Sequence, residues 1–158
     1  MIEIAKPMTL HYKRSHFVTQ LPVDHLYTPS HFWLARQAGE VWRVGLTKFA
    51  TRMLGEMVDC GFEPKPGNAI ASGQIIGWVE GFKAISDIHC VLEGTFAGAN
   101  PGLQEDIALI NKDPNAAGWL YEGCGQPDGK CMDVHAYLRL LDQTIGRILE
   151  KQNTEESK

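Results

Sequence analysis

The sequence predicts a mainly β domain of the α+β kind, closed by one C-terminal helix, and three features carry that expectation. Short runs rich in Val, Ile, Trp and Phe recur between Pro- and Gly-rich breaks. One break, Gly81-Phe82-Lys83-Ala84, separates two apolar runs and reads as the tip of a β-hairpin. Near the end, Tyr137, Leu138, Leu141, Ile145, Ile148 and Leu149 recur at helical spacing and form one apolar stripe.

Taken in order, residues 1 to about 25 form a polar, His-rich extension with weak periodicity. Four of the six histidines lie at or before position 31 (His11, His16, His25 and His31), irregularly spaced, which favours solvated or capping roles over a metal site. His31 to Leu34 and Val41 to Leu46 are β-prone runs joined by the turn formers Gln37 to Glu40. Thr47 is placed to cap a short helix, Lys48 to Leu54, which Gly55 ends. Met57 to Phe62 reads as a strand stopped by Pro64-Lys65-Pro66-Gly67. The hairpin strands are expected over Ile75 to Glu80 and Ile85 to Leu92, with a further strand near Gly94 to Gly98.

Asn100-Pro101-Gly102 then breaks the chain before a short helix from Leu103 to Asn111, and Gly118 to Tyr121 reads as a returning strand. Asp133 suits the N-cap of the last helix, expected to end near Glu150. The organisation is therefore an extension (1–25), one domain (26–150) and a polar tail (151–158).

Composition narrows the function. At 158 residues, with 44% hydrophobic and 22% charged residues, the chain suits one soluble domain. A formal charge of -4 disfavours nucleic-acid or anionic-membrane partners, which want a basic patch. No apolar run approaches membrane-spanning length. Glu3, Lys6 and Pro7 interrupt what a signal peptide would keep apolar, so the expected address is cytoplasmic. Cys60, Cys90, Cys124 and Cys131 are too scattered for a disulfide framework, and GCGQPDGKC around the last two is no recognised zinc spacing, so no metal is expected.

Lys83 is the residue whose setting suggests chemistry. A carrier lysine must be exposed for acylation and rigidly supported so that its position is repeatable, and a hairpin with apolar faces supplies both. A tethered arm then meets its partners at an effective concentration on the order of millimolar.

The run Glu80-Gly81-Phe82-Lys83-Ala84-Ile85-Ser86-Asp87-Ile88 resembles the lipoylation segment of the glycine cleavage H-protein family. Tyr27 to Trp33, Val44-Gly45-Leu46-Thr47, Leu54-Gly55-Glu56-Met57-Val58, Pro66-Gly67, Leu109-Ile110-Asn111 and Gly118-Trp119-Leu120 are similar to further family segments, in the expected order. The likeness covers about residues 27 to 121. It implies a lipoyl-domain-like sandwich of two small antiparallel sheets with short flanking helices. It also implies lipoate in amide linkage to Lys83 Nζ, attached by a lipoate–protein ligase or lipoyl-assembly enzymes. The protein itself would be a monomeric carrier supplying no acid, base or nucleophile. Biotin carriers resemble Met-Lys-Met at such a tip, and Phe82 and Ala84 do not match them.

Departures gather around the arm. H-proteins usually carry a Glu in the opening strand that helps hold the ammonium of an aminomethyl load, and Phe32 stands there. Ser30 and Asp87 match other polar residues of that pocket. The residues usual beside the lysine become Gly81 and Phe82, and those after Ser86-Asp87-Ile88 become His89, Cys90 and Val91. The expected arm surroundings are thus Ser30, Phe32, Glu80, Phe82 and Asp87. The changes favour the H-protein-like lipoate-binding proteins of bacterial sulfur oxidation, with a heterodisulfide-reductase-like complex as partner. The alternatives are a glycine cleavage carrier of the aminomethyl group, serving the glycine cleavage enzymes, and an unmodified adaptor of the same fold. Cys90 shares a strand face with Ile88 and Leu92 and is expected in the core, with His89 on the opposite face beside Asp87.

Overall fold

A computed structural model describes residues 8–156, so the first seven residues of the expected extension lie outside the described residues. The rest of the extension is an ordered hairpin. β1 (Thr9–Arg14) pairs antiparallel with β2 (Phe17–Pro22), and Phe17 and Leu21 are buried.

β3 (Leu26–Tyr27), β4 (Phe32–Arg36) and β5 (Val41–Leu46) follow. Next comes α1 (Lys48–Leu54), bounded as its chemistry dictates. Thr47 Oγ1 accepts from the Ala50 N–H at 3.5 Å, and Gly55 closes the helix at φ +83°, a conformation open to glycine. β6 (Met57–Phe62) and the two-residue β7 (Ala69–Ile70) precede the lysine hairpin, β8 (Ile75–Gly81) and β9 (Ile85–His89).

The apolar run Ile85 to Leu92 is two strands rather than one. Cys90 and Val91 are buried where the chain crosses between sheets, and β10 (Leu92–Ala99) starts in the other layer. A run apolar on both sides of a crossover gives periodicity no way to register the change of sheet. The helix expected over Leu103 to Asn111 is likewise split into α2 (Gly102–Glu105) and α3 (Leu109–Lys112). Asp106 turns extended between them and its Oδ1 accepts the Ala108 N–H. The returning strand lies later than Gly118 to Tyr121: β11 covers Tyr121–Pro127. Gly118 is instead in a tight turn, its N–H donating to the Asp113 carbonyl at 2.8 Å. Asp133 caps α4 (Val134–Glu156) through the Ala136 N–H. The helix runs past Glu150 into the expected polar tail, whose Lys, Gln and Glu residues are good helix formers; Thr154 Oγ1 donates to the Glu150 carbonyl there.

The expected sandwich is formed by a six-stranded sheet, β3-β4-β5-β11-β10-β7, and a three-stranded sheet, β6-β8-β9. Between them lies the larger core, with Leu34, Val44, Leu92, Phe96 and Tyr121 from one layer and Met57, Ile76, Val79 and Ile88 from the other. A second core gathers Tyr27, Trp33 and Phe49 with Phe17 and Leu21 of the N-terminal hairpin and Val134, Tyr137, Leu141 and Ile145 of α4. The apolar stripe of α4 is therefore consumed by packing within the domain. Tyr12 and Arg14 fasten the hairpin to Asp142 of the same helix. No helix among the described residues is long and apolar enough to cross a membrane.

Candidate functional site

Lys83 stands exposed at the end of the β8–β9 hairpin, and its backbone is held by hydrogen bonds on both flanks. The Gly81 N–H donates to the Ala84 carbonyl at 2.9 Å, closing the turn. The Phe82 N–H donates to the Glu56 carbonyl at 3.0 Å, and the Lys83 N–H to the Leu54 carbonyl at 2.9 Å. The lysine turn is thus seated on the C-terminal end of α1, using a carbonyl the helix leaves without an internal partner. The fit is tight enough to need glycine: a Cβ on Gly81 would overlap the Leu54 carbonyl oxygen, and one on Gly55 would stand 3.0 Å from Lys83 Cγ. Lys83 Nζ lies 3.5 Å from the Arg52 carbonyl, a contact at the limit of a hydrogen bond, so the amine stays accessible.

Beside this seat runs a cleft of about 210 Å³ between α1, β4 and the hairpin. Phe32, Leu46, Ala50, Met53, Leu54 and Val79 give it a largely apolar lining, and Ser30, His31, Ser86, Asp87 and His89 add polar groups. Of the five residues expected around the arm, Ser30, Phe32 and Asp87 line this cleft. Glu80 and Phe82 do not: Glu80 pairs with Ile85 in the hairpin ladder, and Phe82 is exposed on the turn itself. Ser30 and His89 also border a second cavity of about 260 Å³ that reaches Cys90.

Sequence reasoning missed the α1 wall and the support behind His31. His31 Nδ1 and Thr47 Oγ1 each lie 2.8 Å from the Tyr137 hydroxyl, which α4 contributes from 106 and 90 residues away. Burial lowers the His31 pKa to about 4, so its imidazole is neutral at neutral pH. No local signal could have announced that contact. His31 also adopts φ +72°, and its ring packs 4.6 Å from that of Phe49. Cys90 is buried, its thiol donating to the Leu92 carbonyl and its pKa pushed up chiefly by desolvation, so it is poorly disposed to react as a thiolate. His89 is exposed, with Nδ1 3.3 Å from the Gly73 carbonyl. Among the described residues no His, Cys, Asp and Glu side chains group as a metal site would require.

The arrangement suits a covalent arm. An accessible amine on a turn fixed from both sides adjoins a largely apolar cleft.

A family model described as glycine cleavage H-protein matches residues 25–124. The glycine cleavage system H protein of Corynebacterium jeikeium (strain K411) is 37% identical over 123 residues, covering 76% of this chain and 96% of that protein. That of Mycobacterium leprae (strain Br4923) is 37% identical over 136 residues, covering 85% and 94%. A crystal structure of a glycine cleavage system H protein from Mycobacterium marinum superposes with a TM-score of 0.66 at 32% identity, covering 74% of this chain and 95% of that one.

Proposed function

The chain belongs to the glycine cleavage H-protein family, and on that premise we propose that it carries a lipoyl group on Lys83 and passes an aminomethyl group between the glycine cleavage enzymes. It is a non-catalytic carrier whose work is done with partner enzymes. The observation that supports the site is the lysine seat: an exposed amine on a turn whose Phe82 and Lys83 N–H groups are tied to the end of α1.

The residues present fit the group. Lys83 Nζ is free to form the amide, and the apolar lining from Phe32, Leu46, Met53 and Leu54 suits the hydrocarbon part of a lipoyl chain. When bound, that group supplies a dithiolane that opens to a dithiol and can hold cargo on sulfur. Asp87, Ser30 and Ser86 are the groups of this chain that would accept hydrogen bonds from a cationic amine in the cleft. Phe32 and Leu46 exclude water from the same space.

The relatives named above are glycine cleavage proteins, which supports this reading over the sulfur-oxidation reading that the sequence favoured. One observation keeps the sulfur reading as a second possibility. Phe32 is buried in the cleft wall where H-proteins usually place a Glu, and a charge-assisted hydrogen bond of about 1.5–3 kcal/mol is forgone there. On that reading the arm carries a sulfur-bonded species to a heterodisulfide-reductase-like complex. In either case a ligase or lipoyl-assembly enzymes attach the arm, and the cytoplasm is the compartment.

The test is the mass of the chain made in a lipoate-supplied host. A lipoyl-sized increment on the Lys83 peptide, absent in Lys83→Arg, is expected. Unmodified Lys83 in a host that lipoylates another carrier would overturn the reading and leave the adaptor.

A further inference from the structure

Seven large hydrophobic side chains are exposed among the described residues, and six of them belong to the sheet that carries the lysine hairpin or to the helix beside it. Met53 belongs to α1; Val58, Ile75, Trp78, Phe82 and Ile85 belong to the three-stranded sheet or its lysine turn. Scattered exposed hydrophobics need no explanation, but this concentration does.

The register shows how the outer face of that sheet is built. Glu80 stands opposite Ile85 and, on the other side, Asp59, in the row nearest the lysine turn. About 7 Å further from the turn, Trp78 stands opposite Asp87 and Gly61. The Trp78 ring lies across Gly61, with an indole carbon 2.9 Å from where a Cβ would be, so the absent side chain lets the ring lie flat. Trp78 is 37% exposed, Ile85 68% and Phe82 78%. The strands contribute three carboxylates, Asp59, Glu80 and Asp87, and among the described residues no ion pair engages any of them.

We propose that this face, with Trp78 and Ile85 at its centre and Asp59 and Glu80 on its flank, docks the enzyme that acylates Lys83, through a basic surface with an apolar centre. The inference rests on the lipoyl-carrier reading and names the partner of its modification site. Two arguments select that partner. An enzyme acting on Nζ must come within bonding distance of a four-carbon stem, so it has to cover the turn and its flanks. A typical footprint of about 800 Å² per partner centred on Lys83 takes in the two rows described, whereas an enzyme acting on the far end of an arm can stand off. The chemistry selects the complement. Carboxylates that no internal ion pair neutralises steer a cationic surface, and a flat, half-exposed indole accepts Arg or Lys over its face and is the residue type most often dominant in interfaces.

The experiment measures lipoylation of the purified, unmodified full chain by a lipoate–protein ligase. Lipoate and ATP are supplied, so that the amide forms on Lys83 with release of AMP and pyrophosphate, and product is counted by intact mass. Trp78→Ala and Asp59→Lys are each expected to lower kcat/KM about tenfold, equivalent to about 1.4 kcal/mol, mainly through KM. Ile85→Ser tests the same face at a position whose exposure makes loss of fold a minor effect, and Glu40→Lys, on the distant β4–β5 turn, is the charge control. Raising salt should weaken the wild type and leave Asp59→Lys less affected. Wild type modified normally, with the three face variants within twofold of it, overturns this inference alone. Wild type left unmodified by a ligase that acylates another lipoyl carrier overturns the carrier reading, and this inference with it.

Discussion

Replacing Gly81 by Ala tests how the lysine turn is held. Gly81 does not adopt a left-handed φ, so the backbone tolerates alanine and only the close approach to α1 is at issue. The new methyl would overlap the Leu54 carbonyl oxygen and come within 2.7 Å of its carbon, and neither backbone atom can swing aside as a flexible side chain would. Separating the strand end from the helix end then breaks the 2.9 Å bond from the Lys83 N–H to the same carbonyl. Overpacking at about 1–3 kcal/mol together with one lost hydrogen bond at about 0.5–1.5 gives a cost of about 2–4 kcal/mol. For a chain this long, that lowers Tm by roughly 5–15 °C. Thermal unfolding followed by circular dichroism reads the first quantity, and hydrogen exchange at the Phe82 and Lys83 amides reads the second. Those two amides should lose protection while the β10–β11 ladder keeps its own. A Tm within 2 °C of wild type, roughly 1 kcal/mol or less, with Lys83 still protected, would refute the reasoning that the turn is seated on α1.

Asn111 bridges α3 to the α1–β6 junction, accepting from the Met57 N–H at 2.9 Å and donating to the Gly55 carbonyl at 3.1 Å; Asn111→Leu should cost about 1–3 kcal/mol in denaturant unfolding, because it leaves a backbone donor unpaired. Thr47→Ala removes both the α1 cap and a bond to the Tyr137 hydroxyl, and a loss of about 1–2 kcal/mol in the same measurement is expected. The pH dependence follows from His31, whose folded pKa of about 4 lies below its ordinary value of 6.5. The unfolded chain binds the extra proton first, so the contribution of neutral His31 is full above about 6.5 and is lost as pH falls toward 4. His31→Asn, which tolerates the left-handed backbone, should therefore lose less stability than wild type between pH 7 and pH 4.5; an equal loss would remove His31 as the cause.

Elements fixed by neighbouring residues were legible in the sequence. Thr47 and Gly55 bound α1 where capping chemistry places them, and Pro64 to Gly67 stops β6. Elements decided by distant packing were not. The crossover at Cys90 and Val91 lies inside an apolar run, and the break at Asp106 depends on the aspartate turning extended while its Oδ1 accepts the Ala108 N–H. The N-terminal hairpin packs against α4, from the other end of the chain, a partner that its own residues cannot announce. The site divides the same way. Lys83, Ser30, Phe32 and Asp87 came from local segments that resemble a family. The α1 seat under the lysine and the Tyr137 hydroxyl behind His31 are long-range contacts with no trace in residue spacing.

As proposed above, this chain, loaded at Lys83, serves glycine cleavage. The most direct measurement is glycine-dependent exchange of labelled bicarbonate into the glycine carboxyl by glycine decarboxylase, with the lipoylated chain as the carrier. Exchange should rise to saturation with the lipoylated wild type and be absent with the unmodified chain and with Lys83→Arg. No exchange from a fully lipoylated chain, beside a glycine cleavage H protein that supports it, would contradict the account and favour a sulfur-bonded cargo against the buried Phe32.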